Sequence, residues 1–131
     1  YESVFGDYMS QFVQKGANLI VVITNDGWWG NTSGYHQHYL YARLRAIEFR
    51  KNIVRSANTG ISCFINSDGK ILQKTGWWEA AVIKQNIAIG SKTTFYAKMG
   101  DYLGRISAFL SVIMILLIIS RALSKKDVLN A

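Results

Sequence analysis

The chain of 131 residues has no proline, one cysteine and two histidines. Without proline there is no proline-rich linker, and composition marks no hinge. The single Cys63 excludes an internal disulfide and any cysteine-rich metal cage. His36 and His38 are too few to hold zinc from this stretch alone, so no metal site is expected. There is no Walker phosphate loop, no G-x-G-x-x-G turn and no G-x-S-x-G nucleophile elbow. No cofactor is expected either. Basic residues are scattered rather than interleaved with aromatics, which argues against a nucleic-acid partner.

What is present is apolar bulk. Half of the residues are hydrophobic and 13% are aromatic, enough to exclude a disordered chain and to support one modest domain with a core. The formal net charge of +7 suits an anionic membrane surface. The first residue is Tyr1, so the chain reads as a piece of a longer protein.

One stretch organises the rest: Thr24-Asn25-Asp26-Gly27-Trp28-Trp29-Gly30. It follows the apolar run Leu19 to Ile23, which reads as a strand buried on both faces. A buried strand that empties into a loop of polar, glycine and aromatic residues is where α/β proteins place chemistry. Gly27 and Gly30 permit unusual backbone angles, and Trp28 and Trp29 must cover core, ligand or lipid.

Around that loop the pattern predicts a helix over Ser3 to Lys15 with Val4, Tyr8, Phe12 and Val13 on its apolar stripe. Gly16 suits its C-terminal cap. A second helix is expected over His36 to Lys51, with Leu40, Leu44 and Ile47 facing the core. Arg45 with Glu48, and Glu48 with Lys51, would pair on its wetter side. Short strands follow at Ile53 to Ala57 and Ile61 to Asn66, and a hairpin turn at Ser67-Asp68-Gly69 leads into Lys70 to Lys74. Ala80 to Ile89 reads as one more strand.

Ile106 to Ser120 changes character: fifteen residues without a charge. As a helix that run is only about 22 Å long. A bilayer core needs about 30 Å, which Tyr102 to Leu123 supplies if Arg105 and Arg121 reach outward to the interface. A membrane span is therefore expected over 101–123, with 124–131 as a short basic tail. Lysines and arginines flank it on both sides, so charge does not fix its direction.

The candidates for chemistry are few. Cys63 shares its strand face with Ile61 and Ile65, the dry setting of an inert thiol. His36 and His38 would open the second helix, where the positive dipole end lowers an imidazole pKa, and His38 is within reach of the tryptophan loop. Arg43, Arg45 and Arg55 suit phosphate, but on a helix and a short strand they suit solvent or a partner carboxylate better.

Several segments together resemble the C-terminal part of the apolipoprotein N-acyltransferases, a membrane family of the nitrilase (carbon–nitrogen hydrolase) superfamily. They are Tyr1-Glu2-Ser3-Val4-Phe5, the tryptophan loop, His38 to Glu48, Arg55-Ser56-Ala57-Asn58-Thr59-Gly60-Ile61-Ser62 and the closing apolar helix. The resemblance implies an α/β fold: the C-terminal part of an α-β-β-α sandwich over 1–100, followed by one transmembrane helix. It implies a catalytic Glu, Lys and Cys, with acyl taken from a phospholipid onto the Cys. The acyl group then passes to the α-amino group of a diacylglyceryl-cysteine at an apolipoprotein's N-terminus. The family's nucleophilic Cys directly precedes the Tyr-Glu that aligns with Tyr1-Glu2, and its Glu and Lys lie further upstream. The stretch thus lacks all three and is expected to be inactive alone.

By the same resemblance, Tyr1 and Glu2 stand beside the nucleophile, with Glu2 orienting the Lys or the incoming amine. Trp28 borders the acyl site, Trp29 suits lipid contact, and Asn25 with Asp26 fixes the loop's turn. His38 completes the candidate substrate-binding set. The family would place the globular part outside a bacterial inner membrane and the C-terminus in the cytoplasm. Two other readings fit the residues: a membrane-tethered nitrilase-like amidase, and a non-enzymatic membrane-anchored module. Acyl-chain preference and oligomeric state are not legible.

Overall fold

The computed structural model describes residues 1–129. A compact unit covers Tyr1–Gly100, and a helical unit begins at Asp101.

In the first unit a 3-10 turn at Glu2–Val4 leads into α1 (Gly6–Gln14). Strand β1 (Leu19–Thr24), helix α2 (Ser33–Phe49) and strand β2 (Asn52–Ala57) form a β-α-β unit with parallel strands. Strands β3 (Cys63–Ile65) and β4 (Ile71–Lys74) add on antiparallel, giving the sheet order β1-β2-β3-β4. The hairpin turn forms as expected, with Gly69 N–H donating to Asn66 O at 2.9 Å. A short α3 (Phe95–Met99) is capped by the Thr94 hydroxyl. Gln14 ties it to α1 by donating to Ala97 O at 2.8 Å.

The core lies between one sheet face and the helices. Ile20, Val22, Ile53, Cys63 and Ile65 meet Ala42, Ala46 and Phe49 there. This is a mixed α/β layer pair, in keeping with the expected fold class, but several local expectations change. α1 starts at Gly6 and buries Ser10 and Val13, while Tyr8 and Phe12 pack edge-to-face on an exposed side. β1 is buried on one face only: Val21 and Ile23 are 58% and 82% exposed. Helices pack on one sheet face, and the alternation of side chains along the strand then decides which are buried.

α2 departs most. It begins at Ser33, with Thr32 as N-cap, so the histidines do not open it. Leu40, Leu44 and Ile47 are exposed, and the buried stripe is Tyr35, His38, Tyr39, Ala42, Arg45, Ala46 and Phe49. Arg45 and Glu48 do pair, at 3.1 Å, but with Arg45 only 4% exposed the pair is an inner one. Lys51 is also buried and donates to Gly90 O at 2.8 Å rather than meeting Glu48. Residues 80–89 form no strand. Val82 is fully exposed, and this segment is held by side chains, Asn52 donating to Ala88 O.

In the second unit, α4 (Tyr102–Leu129) contains a 22-residue apolar stretch, Tyr102–Leu123, whose most apolar part has a mean hydropathy of 2.4. Its length, about 33 Å, and its composition are sufficient to cross a membrane. The expected basic tail is helical to Leu129; residues 130 and 131 lie outside the described residues.

Candidate functional site

The site grows from the C-terminal ends of β1 and β2. The loops that leave these parallel strands are joined by Asn58 N–H to Thr24 O at 2.9 Å and Asp26 N–H to Thr59 O at 3.2 Å. The Thr59 hydroxyl donates to Asn25 Oδ1, which also accepts from Gly27 N–H at 3.0 Å. Asn25 therefore fixes the turn by a local side-chain bond, as its type favours. Gly60 allows the two loops to touch, since a Cβ there would lie 2.6 Å from Asp26 Oδ2. Gly30 takes φ 54°, ψ −159° and turns the chain toward Thr32. The Thr32 hydroxyl donates to Trp29 O at 2.7 Å and accepts from Gly34 N–H at 3.3 Å.

Asp26 accepts locally from the Thr24 hydroxyl at 3.3 Å, and it does more than shape its own turn. It is fully buried. Its Oδ1 lies 2.8 Å from His38 Nδ1, and its Oδ2 accepts from Arg55 Nη2 at 2.5 Å. Arg55 Nε donates to Ile61 O at 3.1 Å. A carboxylate paired with a buried guanidinium is ionised and can only accept, so His38 Nδ1 must carry the proton toward it. Burial lowers the His38 pKa, and the Arg55 charge pushes the same way against the Asp26 hydrogen bond. The imidazole is then neutral near pH 7, and its Nε2 carries a lone pair. This cause replaces the expected helix dipole, because His38 lies in the second turn of α2.

Above the imidazole sit two aromatic rings. Trp29 meets it edge-on at 5.2 Å between centroids, and Tyr1 lies tilted at 5.2 Å. Tyr1 and Trp29 are 6.0 Å apart. Trp28 points elsewhere and is 83% exposed. Glu2 is exposed at the lip of a groove of about 390 Å³ between α1 and β1, lined by Met9, Phe12, Leu19 and Val21. So Tyr1, Trp29 and His38 come together, Asn25 buttresses them, and Trp28 and Glu2 lie at the rim.

The remaining candidates are spoken for. Cys63 is fully buried, and burial pushes its thiol up to about 11, leaving it protonated and inert. Arg43 donates to Gly69 O at 2.9 Å, while Arg45 and Arg55 hold the carboxylates named above. The role of Asp26 as the hub of a buried cluster was not anticipated. A signal for Arg55 existed: strand alternation puts it on the face of Ile53, where an arginine must find a carboxylate.

The chain is similar to known proteins. The apolipoprotein N-acyltransferase of Chlorobaculum tepidum is 40% identical over 101 residues, which is 77% of this chain and 19% of that protein. The apolipoprotein N-acyltransferases of Geobacter metallireducens and Pasteurella multocida are 38% and 35% identical over the same shares. The chain thus spans about a fifth of the length of the relatives it matches. Residues 1–94 match the carbon–nitrogen hydrolase family, and with most of the chain inside that match, it belongs to the carbon–nitrogen hydrolase family.

Proposed function

We propose that this chain is the C-terminal part of a lipoprotein N-acyltransferase. What supports the reading is the convergence of Tyr1, Trp29 and His38 at the ends of two parallel strands, in a chain whose relatives carry that name. The thiol belongs directly before Tyr1, with the Glu and Lys further upstream. The thiolate attacks a phospholipid ester carbonyl, the C–S bond forms, and the lysophospholipid leaves with a proton supplied by the Glu. The Lys stabilises the oxyanion. The α-amino group of a diacylglyceryl-cysteine then attacks the thioester, the C–N bond forms, the C–S bond breaks to release the thiolate, and the nitrogen passes its proton to the Glu carboxylate.

In this reading Tyr1 and Glu2 stand beside the thiol, with Glu2 orienting the Lys or the incoming amine. Trp28 borders the acyl site and meets lipid from its exposed position; Trp29 and Asn25 frame the site. The donor is a phospholipid, the acceptor an apolipoprotein, and no cofactor takes part. α4 crosses a bacterial inner membrane, leaving the first unit outside and the C-terminus in the cytoplasm.

The test is to incubate the full-length protein with labelled phospholipid and map the acyl group by peptide mass spectrometry. A thioester on the residue before Tyr1, formed equally well by the Cys63→Ala variant, is expected. Acylation of Cys63, or ammonia released from small amides with no acylated lipopeptide, overturns the reading.

A further inference from the structure

The Asp26–His38–Arg55 cluster is buried, and not all of its polar atoms are paired. Both Asp26 oxygens, His38 Nδ1 and Arg55 Nε and Nη2 are bonded, while Arg55 Nη1, like His38 Nε2, has no hydrogen-bond partner among the described residues. His38 Nε2, on a side chain 2% exposed, has no hydrogen-bond partner among the described residues. A buried polar atom left unpaired costs about 1–3 kcal/mol, so the position calls for a partner.

The chemistry of that partner follows from the tautomer. Because Asp26 fixes the proton on Nδ1, Nε2 offers only a lone pair and needs a donor. The rings of Tyr1 and Trp29 lie at 5.2 Å from the imidazole. Aromatic faces attract N–H groups and amines, whereas a thiol is a weak donor. The place is next to Tyr1, and so, on the acyl-transfer reading above, next to the thioester.

Resting on that reading, we propose that His38 binds the acceptor: its Nε2 takes a hydrogen bond from the incoming α-amino group, holding one N–H so that the nitrogen lone pair faces the thioester carbonyl. Asp26 and Arg55 act through His38 by fixing its tautomer and ring orientation. Orientation of this kind matters only once the thioester exists, so the two half-reactions separate.

The experiment uses the full-length protein in micelles with phosphatidylethanolamine as donor and a synthetic diacylglyceryl-cysteinyl peptide as acceptor. Thioester formation and its discharge to the peptide are followed as separate single-turnover steps. His38→Ala is expected to slow discharge at least tenfold more than thioester formation, and His38→Gln, whose Oε1 is an acceptor, to restore part of the loss. His38→Met serves where the alanine variant fails to fold: similar in size to Gln without a strong acceptor, it should discharge at least tenfold more slowly than His38→Gln. Equal slowing of both steps, or equal discharge by the Gln and Met variants, overturns the proposal and leaves His38 a structural residue. Absence of any thioester in the wild-type protein instead defeats the acyl-transfer reading on which it rests.

Discussion

The two faces of α2 differ less in polarity than those of a soluble helix usually do. Inside lie His38 and Arg45 among Ala42, Ala46 and Phe49; outside lie Leu40, Tyr41, Leu44 and Ile47, each between 37% and 45% exposed. Polar side chains can occupy the inner face because each charge has a partner: Arg45 has Glu48, and the Asp26 carboxylate joins His38 to Arg55. The outer leucines carry no such requirement. Their exposure costs hydrophobic free energy spread over several residues, whereas an unpaired charge inside would cost it at one point. The burial of the polar residues in this helix therefore follows their pairing.

Removing the hub of the inner face is the strongest way to break that contrast. Asp26→Ala leaves Arg55 buried without its carboxylate and should cost about 3–5 kcal/mol. The melting temperature of the detergent-solubilised full-length protein measures it. Replacing the whole cluster sharpens the result: Asp26→Leu with His38→Phe and Arg55→Met should recover much of the loss, since no stranded charge remains. A triple variant as unstable as the single one would show that the cluster supports the fold through its shape rather than its pairing. Gly34→Ala, on the first turn of the same helix, should cost less, about 1–3 kcal/mol. Its Cβ would lie 2.7 Å from Trp29 Cγ, so the indole must move off His38. A lower melting temperature together with a shifted tryptophan emission would report both effects.

These contrasts also explain what the sequence could disclose. β1, the tryptophan loop and the Asn66–Lys70 turn follow from local rules, and the uncharged run of α4 needs no tertiary context. The face of α2 does not, because both sides carry large apolar residues and the deciding partners, Asp26 and Arg55, lie 12 and 17 positions from His38. Residues 80–89 have strand composition, but they pair with no strand of β1-β2-β3-β4, and strand composition forms a strand only where pairing occurs. In the candidate site, Trp28, Trp29, Asn25 and His38 were legible as residue types in a loop and a helix, and Tyr1 only through the family resemblance. The charge pairing that fixes the His38 tautomer was not, since it is a property of three elements brought together.

The smallest expected effect concerns acid. Burial and Arg55 lower the folded-state pKa of His38, while in the unfolded chain it titrates near about 6.5. The unfolded state then binds more protons than the folded one between these values. The stability held by neutral His38 is complete above about pH 6.5 and is lost as pH falls toward the lower, folded-state pKa. Glu48 opposes this, because burial raises its carboxyl above the usual range and acid then favours the folded form. Comparison with His38→Gln separates the two, since Glu48 is common to both proteins. The wild type should lose more melting temperature than the variant between about pH 7 and pH 5. Parallel pH profiles would mean that His38 is as easily protonated in the fold as out of it, and that Nε2 is not held as a lone pair.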